Sequence, residues 1–162
     1  MSSEKAISDN ETLNRIYSLK GDPEEVRDAY KDWAQSYDKD TVEGMGYIAP
    51  AVAADKLAQV LPKSATLLDA GCGTGQMAAE LAARGADVVA VDISPALVGI
   101  AEARLPAGLP GRVRFLSGDM LAADLGSFDH VMAMDSLIYY DRHDIARALG
   151  TLGRRTRGGI VF

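Results

Sequence analysis

Cysteine is nearly absent: Cys72 is the one thiol in 162 residues, so neither an internal disulfide nor a cysteine-built zinc cluster is available. No metal site is expected. Basic residues are too few to build a positive field, since 17 lysines and arginines against 23 acids leave a net charge of −6. That balance argues against binding to a phosphate backbone, and no nucleic-acid partner is expected. Long apolar runs are missing as well, none approaching the ~20 residues that a membrane helix requires. The start, MSSEKAISDNE, has neither the basic nor the apolar stretch of a signal peptide, and a cytoplasmic location is expected.

What is present is ordinary for a globular chain: 48% hydrophobic and 25% charged residues. Global disorder is excluded, and the length suits one modest domain with a core of useful size. Internal repeats and low-complexity tracts are lacking. Residues 1 to about 20 are polar and read as a loose arm or a short helix around Leu13, Ile16 and Tyr17. Asp22-Pro23-Glu24-Glu25 then supplies an N-cap, a proline at the first helical position and an acid three residues after the cap. The helix that follows places Val26, Ala29, Tyr30, Trp33 and Tyr37 on one face. A glycine-rich turn at 43–47 leads to a second helix at about 50–61, ended by Pro62.

From Thr66 onward, short apolar runs at 66–69, 88–92, 113–116, 130–134 and 159–162 alternate with amphipathic stretches at 75–84, 95–104 and 141–152. Strand, helix, strand repeated in this way predicts an α/β fold, an open parallel sheet of about five strands with helices on both faces. Residues 1–62 would form an N-terminal arm and helical lid, and 63–162 the sheet-bearing core.

The most informative stretch is Leu67-Leu68-Asp69-Ala70-Gly71-Cys72-Gly73-Thr74-Gly75-Gln76, a strand that runs through glycines into a helix. Glycines at 71, 73 and 75 let the backbone turn tightly and approach a ligand, with the free N–H groups of the next helix facing the same space. A dinucleotide fingerprint would need glycine where Gln76 stands, and a Walker loop would need a lysine that this segment lacks. Asp92 ends the second strand at the separation from Gly71 that lets an acid reach ribose hydroxyls. Gly118-Asp119-Met120 and Met134-Asp135-Ser136 end the third and fourth strands. All four loops belong at the carboxyl ends of parallel strands, where ligands of open α/β sheets bind. Cys72 has no basic partner near it in sequence and reads as a small buried residue of this turn.

The D-x-G-x-G-x-G pattern at Asp69 to Gly75, Asp92 after the second strand and Gly-Asp-Met after the third resemble class I S-adenosylmethionine-dependent methyltransferases with a Rossmann-like core. The resemblance implies S-adenosylmethionine as cofactor, with Asp69, Gly71, Cys72, Gly73 and Gly75 around its methionine part. It implies further that Asp92 takes the ribose hydroxyls, Ile93 and Met120 the adenine faces and Asp119 the adenine amino group, while Met134 and Asp135 face the methionine end. Trp33 to Asp38 is similar to the W-x-x-x-Y-D lid of small members of the family, which would aim Tyr37 at the cofactor carboxylate.

From about Gly85 the chain resembles the magnesium-protoporphyrin O-methyltransferases, whereas Val26 to Pro50 is more similar to small methyltransferases of the Williams-Beuren-region type. The mixture reads as a hybrid. The family's sheet carries a further antiparallel pair that is not readable here, so the fifth strand is expected to be a hydrophobic edge, open to a homodimer through pairing with a second copy.

The activity expected from the resemblance is methyl transfer to a small-molecule acceptor, a porphyrin propionate carboxylate if the C-terminal half sets the substrate. An amine or alcohol acceptor would need a base, for which His143 and Tyr140 are the candidates. A second reading is a cofactor-binding fragment or engineered chimera without turnover.

Overall fold

The computed structural model describes residues 11–19 and 22–162. β1 (Thr66–Ala70) is buried on both sides, with successive residues Leu67 and Leu68 entering cores on opposite faces, as a central parallel strand requires. It pairs in parallel with β2 (Asp87–Asp92) on one side and β4 (Phe128–Met132) on the other. β3 (Arg112–Ser117) and β5 (Thr156–Val161) extend the sheet outward, giving five parallel strands in the order β3-β2-β1-β4-β5.

Leu67, Val88 and Ala90 pack on one face against Ala54 and Leu57 of α3 (Ala49–Ala58) and Met77, Ala78 and Leu81 of α4 (Gln76–Ala83). On the other face Leu68, Ala70 and Val131 meet Ala148 and Leu152 of α6 (Arg142–Arg154). Between β2 and β3 runs α5 (Pro95–Arg104), its first turn capped by Ser94, whose hydroxyl accepts from the Leu97 amide. Strands β2 and β3 are laid to one side of β1, and β4 and β5 to the other. That reversal opens a crevice at the carboxyl ends of β1 and β4.

The N-terminal helices cover this end. α1 (Glu11–Ser18) buries Leu13 and Ile16 against Ala29 and Trp33 of α2 (Pro23–Trp33), while Tyr17 is exposed. The helix expected around residues 13–17 is therefore there; the arm before it, residues 1–10, lies outside the described residues. Asp22 caps α2 by accepting from the Glu24 and Glu25 amides.

α2 ends at Trp33 instead of continuing through Tyr37. A π-helical turn, Lys39–Gly44, carries the chain onward, held by Thr41 Oγ1 donating to the Tyr37 carbonyl and by the Tyr47 amide donating to the Thr41 carbonyl. β4 begins two residues earlier than its apolar pattern suggests, and β5 begins at Thr156 instead of Gly159. There the Gly159 amide donates to His130 Nδ1 at 3.2 Å, an imidazole standing in for a backbone carbonyl at an irregular register. Among the described residues no helix is long and apolar enough to cross a membrane.

Gly75 has a packing role. It sits at φ +77°, and a Cβ built there would lie 2.8 Å from Ala101 Cβ and 3.0 Å from the Phe115 ring. Gly75→Ala combines left-handed strain with overpacking, so we expect a loss of about 2–3 kcal/mol, read as a lowered urea midpoint.

Candidate functional site

A cavity of about 180 Å³ lies between α2 and the carboxyl ends of the strands. Its floor is the glycine turn, where Gly71 and Gly73 adopt positive φ. At Gly71 a Cβ would run into the Ser136 side chain, so glycine is required by close packing, whereas at Gly73 a Cβ would meet nothing within 4 Å. The backbone is thus bared to the cavity at Gly73.

Asp92 stands beside the turn. Its Oδ2 accepts from the Gly73 amide at 2.9 Å and its Oδ1 from the Ser94 amide at 2.8 Å, so it braces the turn while lining the cavity. Burial raises its carboxyl above the usual carboxylate range, opposed by those two amides. Ile93, Asp119 and Met120 line the same cavity, Asp119 also accepting from the Leu121 amide at 2.8 Å. Met134 and Asp135 line it after β4, and Asp135 is the only non-glycine residue with positive φ among the described residues. Tyr37 and Tyr140 complete the set of sequence-predicted residues that reach the cavity.

The other four lie elsewhere. Asp69 is below the floor, 2% exposed, and its Oδ2 has no hydrogen-bond partner. Burial, then the neighbouring Asp92, push its carboxyl up to about 7, with an Ala78 backbone hydrogen bond acting in the opposite direction. Cys72 packs into the core with Ala54, Leu67 and Met77, and burial raises its thiol. Gly75 faces Ala101 and Phe115. His143 is exposed in the first turn of α6, its amide donating to the capping Asp141, outside the residues that line the cavity.

Tyrosines not assigned a ligand or catalytic role from sequence also contribute. Tyr30 of α2 and Tyr139, 109 residues apart, share a hydroxyl–hydroxyl hydrogen bond of 2.7 Å across the cavity wall. Near them Tyr47 donates to Asp135 Oδ2 at 2.6 Å. Burial raises all three phenols, and it pushes Tyr37 up to about 12 with help from Asp135 and Asp38. These hydroxyls hold their protons near neutrality and act as donors, not bases. Among the described residues that line the cavity Arg27 is the single cation, against Asp92, Asp119 and Asp135. The arrangement suits a ligand with a cationic centre, a diol and a flat apolar part.

The family described as "Methyltransferase domain" matches residues 67–159, from β1 into β5. The chain belongs to this methyltransferase family. Its 96-residue match with a magnesium-protoporphyrin O-methyltransferase of Rhodobacter capsulatus is 62% identical, covering 59% of this chain and 43% of that one. Human methyltransferase-like protein 27 is 37% identical over 99% of this chain and 66% of its own length. The chain thus spans 43% to 66% of these two curated relatives. Among solved structures, magnesium protoporphyrin IX methyltransferase from Synechocystis PCC 6803 with bound SAM is 28% identical, with a TM-score of 0.55 over 90% of this chain and 65% of that one. Its likeness agrees with a Rossmann-like methyltransferase fold for the five-stranded sheet.

Proposed function

We propose that this methyltransferase-family chain binds S-adenosylmethionine in the cavity and directs its methyl group to a small-molecule acceptor. The observation that carries the reading is the pairing of the bare backbone at Gly73 with the partnerless buried carboxylate oxygen of Asp69 beneath it. A buried acceptor without a donor is costly unless a ligand completes it, and an amino-acid ammonium at the methionine end is a group of the right charge. Asp92 would accept the ribose diol, Asp119 the adenine amino group, and Ile93 and Met120 would flank the ring. Asp135, Met134 and Tyr37 would surround the methionine end.

When bound, the cofactor supplies an already activated methyl group, so this chain's residues have chiefly to align donor and acceptor and exclude water. Among the described residues no histidine or lysine lines the cavity, and its tyrosines keep their protons. An acceptor that is nucleophilic without a base fits best. A carboxylate such as a porphyrin propionate meets that requirement, in keeping with the substrate named for the Rhodobacter relative. Tyr140 remains on the cavity wall as a donor toward the acceptor, and the exposed His143 is given no part.

Calorimetric titration with S-adenosylmethionine and its demethylated product tests the reading. Saturable binding is expected, with NAD and ATP silent, and Asp92→Ala should weaken it about ten- to thirtyfold through lost ribose contacts and a loosened Gly73. Failure of a folded sample to bind either ligand would refute the proposal. Binding without methylation of magnesium protoporphyrin would move the acceptor to another small molecule.

A further inference from the structure

Asp38 lies just outside the cavity, yet its carboxylate gathers donors from three separate parts of the sheet-bearing segment. Oδ1 accepts from Thr74 Oγ1 and from Gln76 Nε2, each at 2.7 Å. Oδ2 pairs with Arg104 at the end of α5, whose guanidinium also donates to Thr74 Oγ1 at 3.2 Å. Thr74 belongs to the glycine turn and is 2% exposed, so its hydroxyl is a rigid point of attachment. Asp38 therefore joins the covering helices to the ligand-holding turn, to the first residue of α4 and to the last of α5.

What hangs from this joint is Tyr37. Its ring lines the cavity and meets Trp33 edge-on at 4.7 Å between centroids. Trp33 in turn donates through Nε1 to Asp40 Oδ2 at 2.7 Å. A carboxylate satisfied from three directions has little freedom, and charge-assisted bonds are directional.

We infer that Asp38 is a positioning residue, which through Thr74, Gln76 and Arg104 sets Tyr37 over the glycine turn so that the turn and its cover hold the cofactor as one unit. The inference rests on the cofactor reading above and goes beyond it by naming what fixes the cover. A purely structural anchor would contribute stability alone, whereas a positioning joint controls ligand release.

Trp33 is the only tryptophan of the chain, and it reports on the joint directly. Acrylamide quenching of its fluorescence, without ligand, is compared in the unaltered chain, Asp38→Ala, Thr74→Val and Thr74→Ser. Thr74→Val deletes one hydroxyl at constant shape and keeps the test valid should Asp38→Ala fold poorly. Quenching is expected to rise at least about twofold in Asp38→Ala and Thr74→Val and to return toward the original in Thr74→Ser. Stopped-flow release of S-adenosylhomocysteine should quicken about tenfold in the first two with association nearly unchanged. Unchanged quenching in Thr74→Val, or unchanged release despite raised quenching, would overturn the inference. Absence of ligand binding by the unaltered chain would sink the cofactor reading instead, and ligand-free quenching then decides the joint by itself.

Discussion

Asp69→Asn is expected to melt higher than the unaltered chain at pH 8 while binding S-adenosylmethionine about ten- to a hundredfold more weakly, the loss of one charge-assisted bond. The two effects have one cause. Burial raises the Asp69 carboxyl from 3.8 to about 7, so the folded chain holds its proton more tightly than the unfolded chain does. The sign follows: the stability associated with the protonated form is complete below pH 4 and is lost as pH rises through about 7. Above that the fold carries a buried, partly unpartnered charge.

Asparagine removes the charge and this pH dependence together. The gain at pH 8 should be about 1–2 kcal/mol once the buried amide's own unmet bonds are subtracted, or roughly 3–6 °C in midpoint. Thermal melts from pH 4 to 8 and calorimetry check both halves. A variant that binds as tightly as the original would show that no cationic group of the ligand reaches Asp69, and one that melts lower at pH 8 would show that the carboxylate is needed by the fold itself.

The second large effect is expected at Arg155, a buried arginine between α6 and β5. Its guanidinium donates to three successive carbonyls, Met120 at 3.3 Å, Leu121 at 3.3 Å and Ala122 at 2.9 Å. Those carbonyls belong to the loop that presents Asp119 and Met120 to the cavity. Arg155→Met fills much of the volume but leaves them without their donor. We expect about 3–4 kcal/mol of lost stability and several-fold weaker cofactor binding from the loosened adenine side. Arg155→Lys should fall between, since one ammonium cannot reproduce a planar fork over three acceptors. Urea midpoints with calorimetric affinities would decide it; an unchanged midpoint in Arg155→Met would mean that water replaces the guanidinium.

How much of this was legible in the sequence depends on whether a feature is local. β1 and the glycine turn could be read because a doubly buried strand is a continuous apolar run and because positive φ selects glycine at 71, 73 and 75. Asp92, Asp119 and Asp135 could be placed because parallel strands deliver their carboxyl ends to one crevice. Arg155 could not, since Arg154-Arg155-Thr156-Arg157 reads as a solvated run and only the fold turns the second arginine inward. The Tyr30–Tyr139 pair joins residues 109 apart and leaves no local signal. The π-helical turn likewise depends on bonds such as Trp33 to Asp40, not on periodicity. His143 was attractive for its residue type and its nearness to β4, but its position in the first turn of α6 leaves it facing solvent.

The strand order also bears on how the chain is made. β1 receives β2 and β3 from the residues that directly follow it, but its other side waits for β4, with Leu67 pairing across to His130. A ribosome releases the β1–β3 half first, with one flank of a central strand that is buried in the folded chain left uncovered until β4 emerges. Parallel pairings across such separations form slowly, and exposed strand flanks invite wrong partners. The interval between synthesis of β3 and of β4 is therefore the stage at which the nascent chain is most exposed to aggregation and has most to gain from a chaperone.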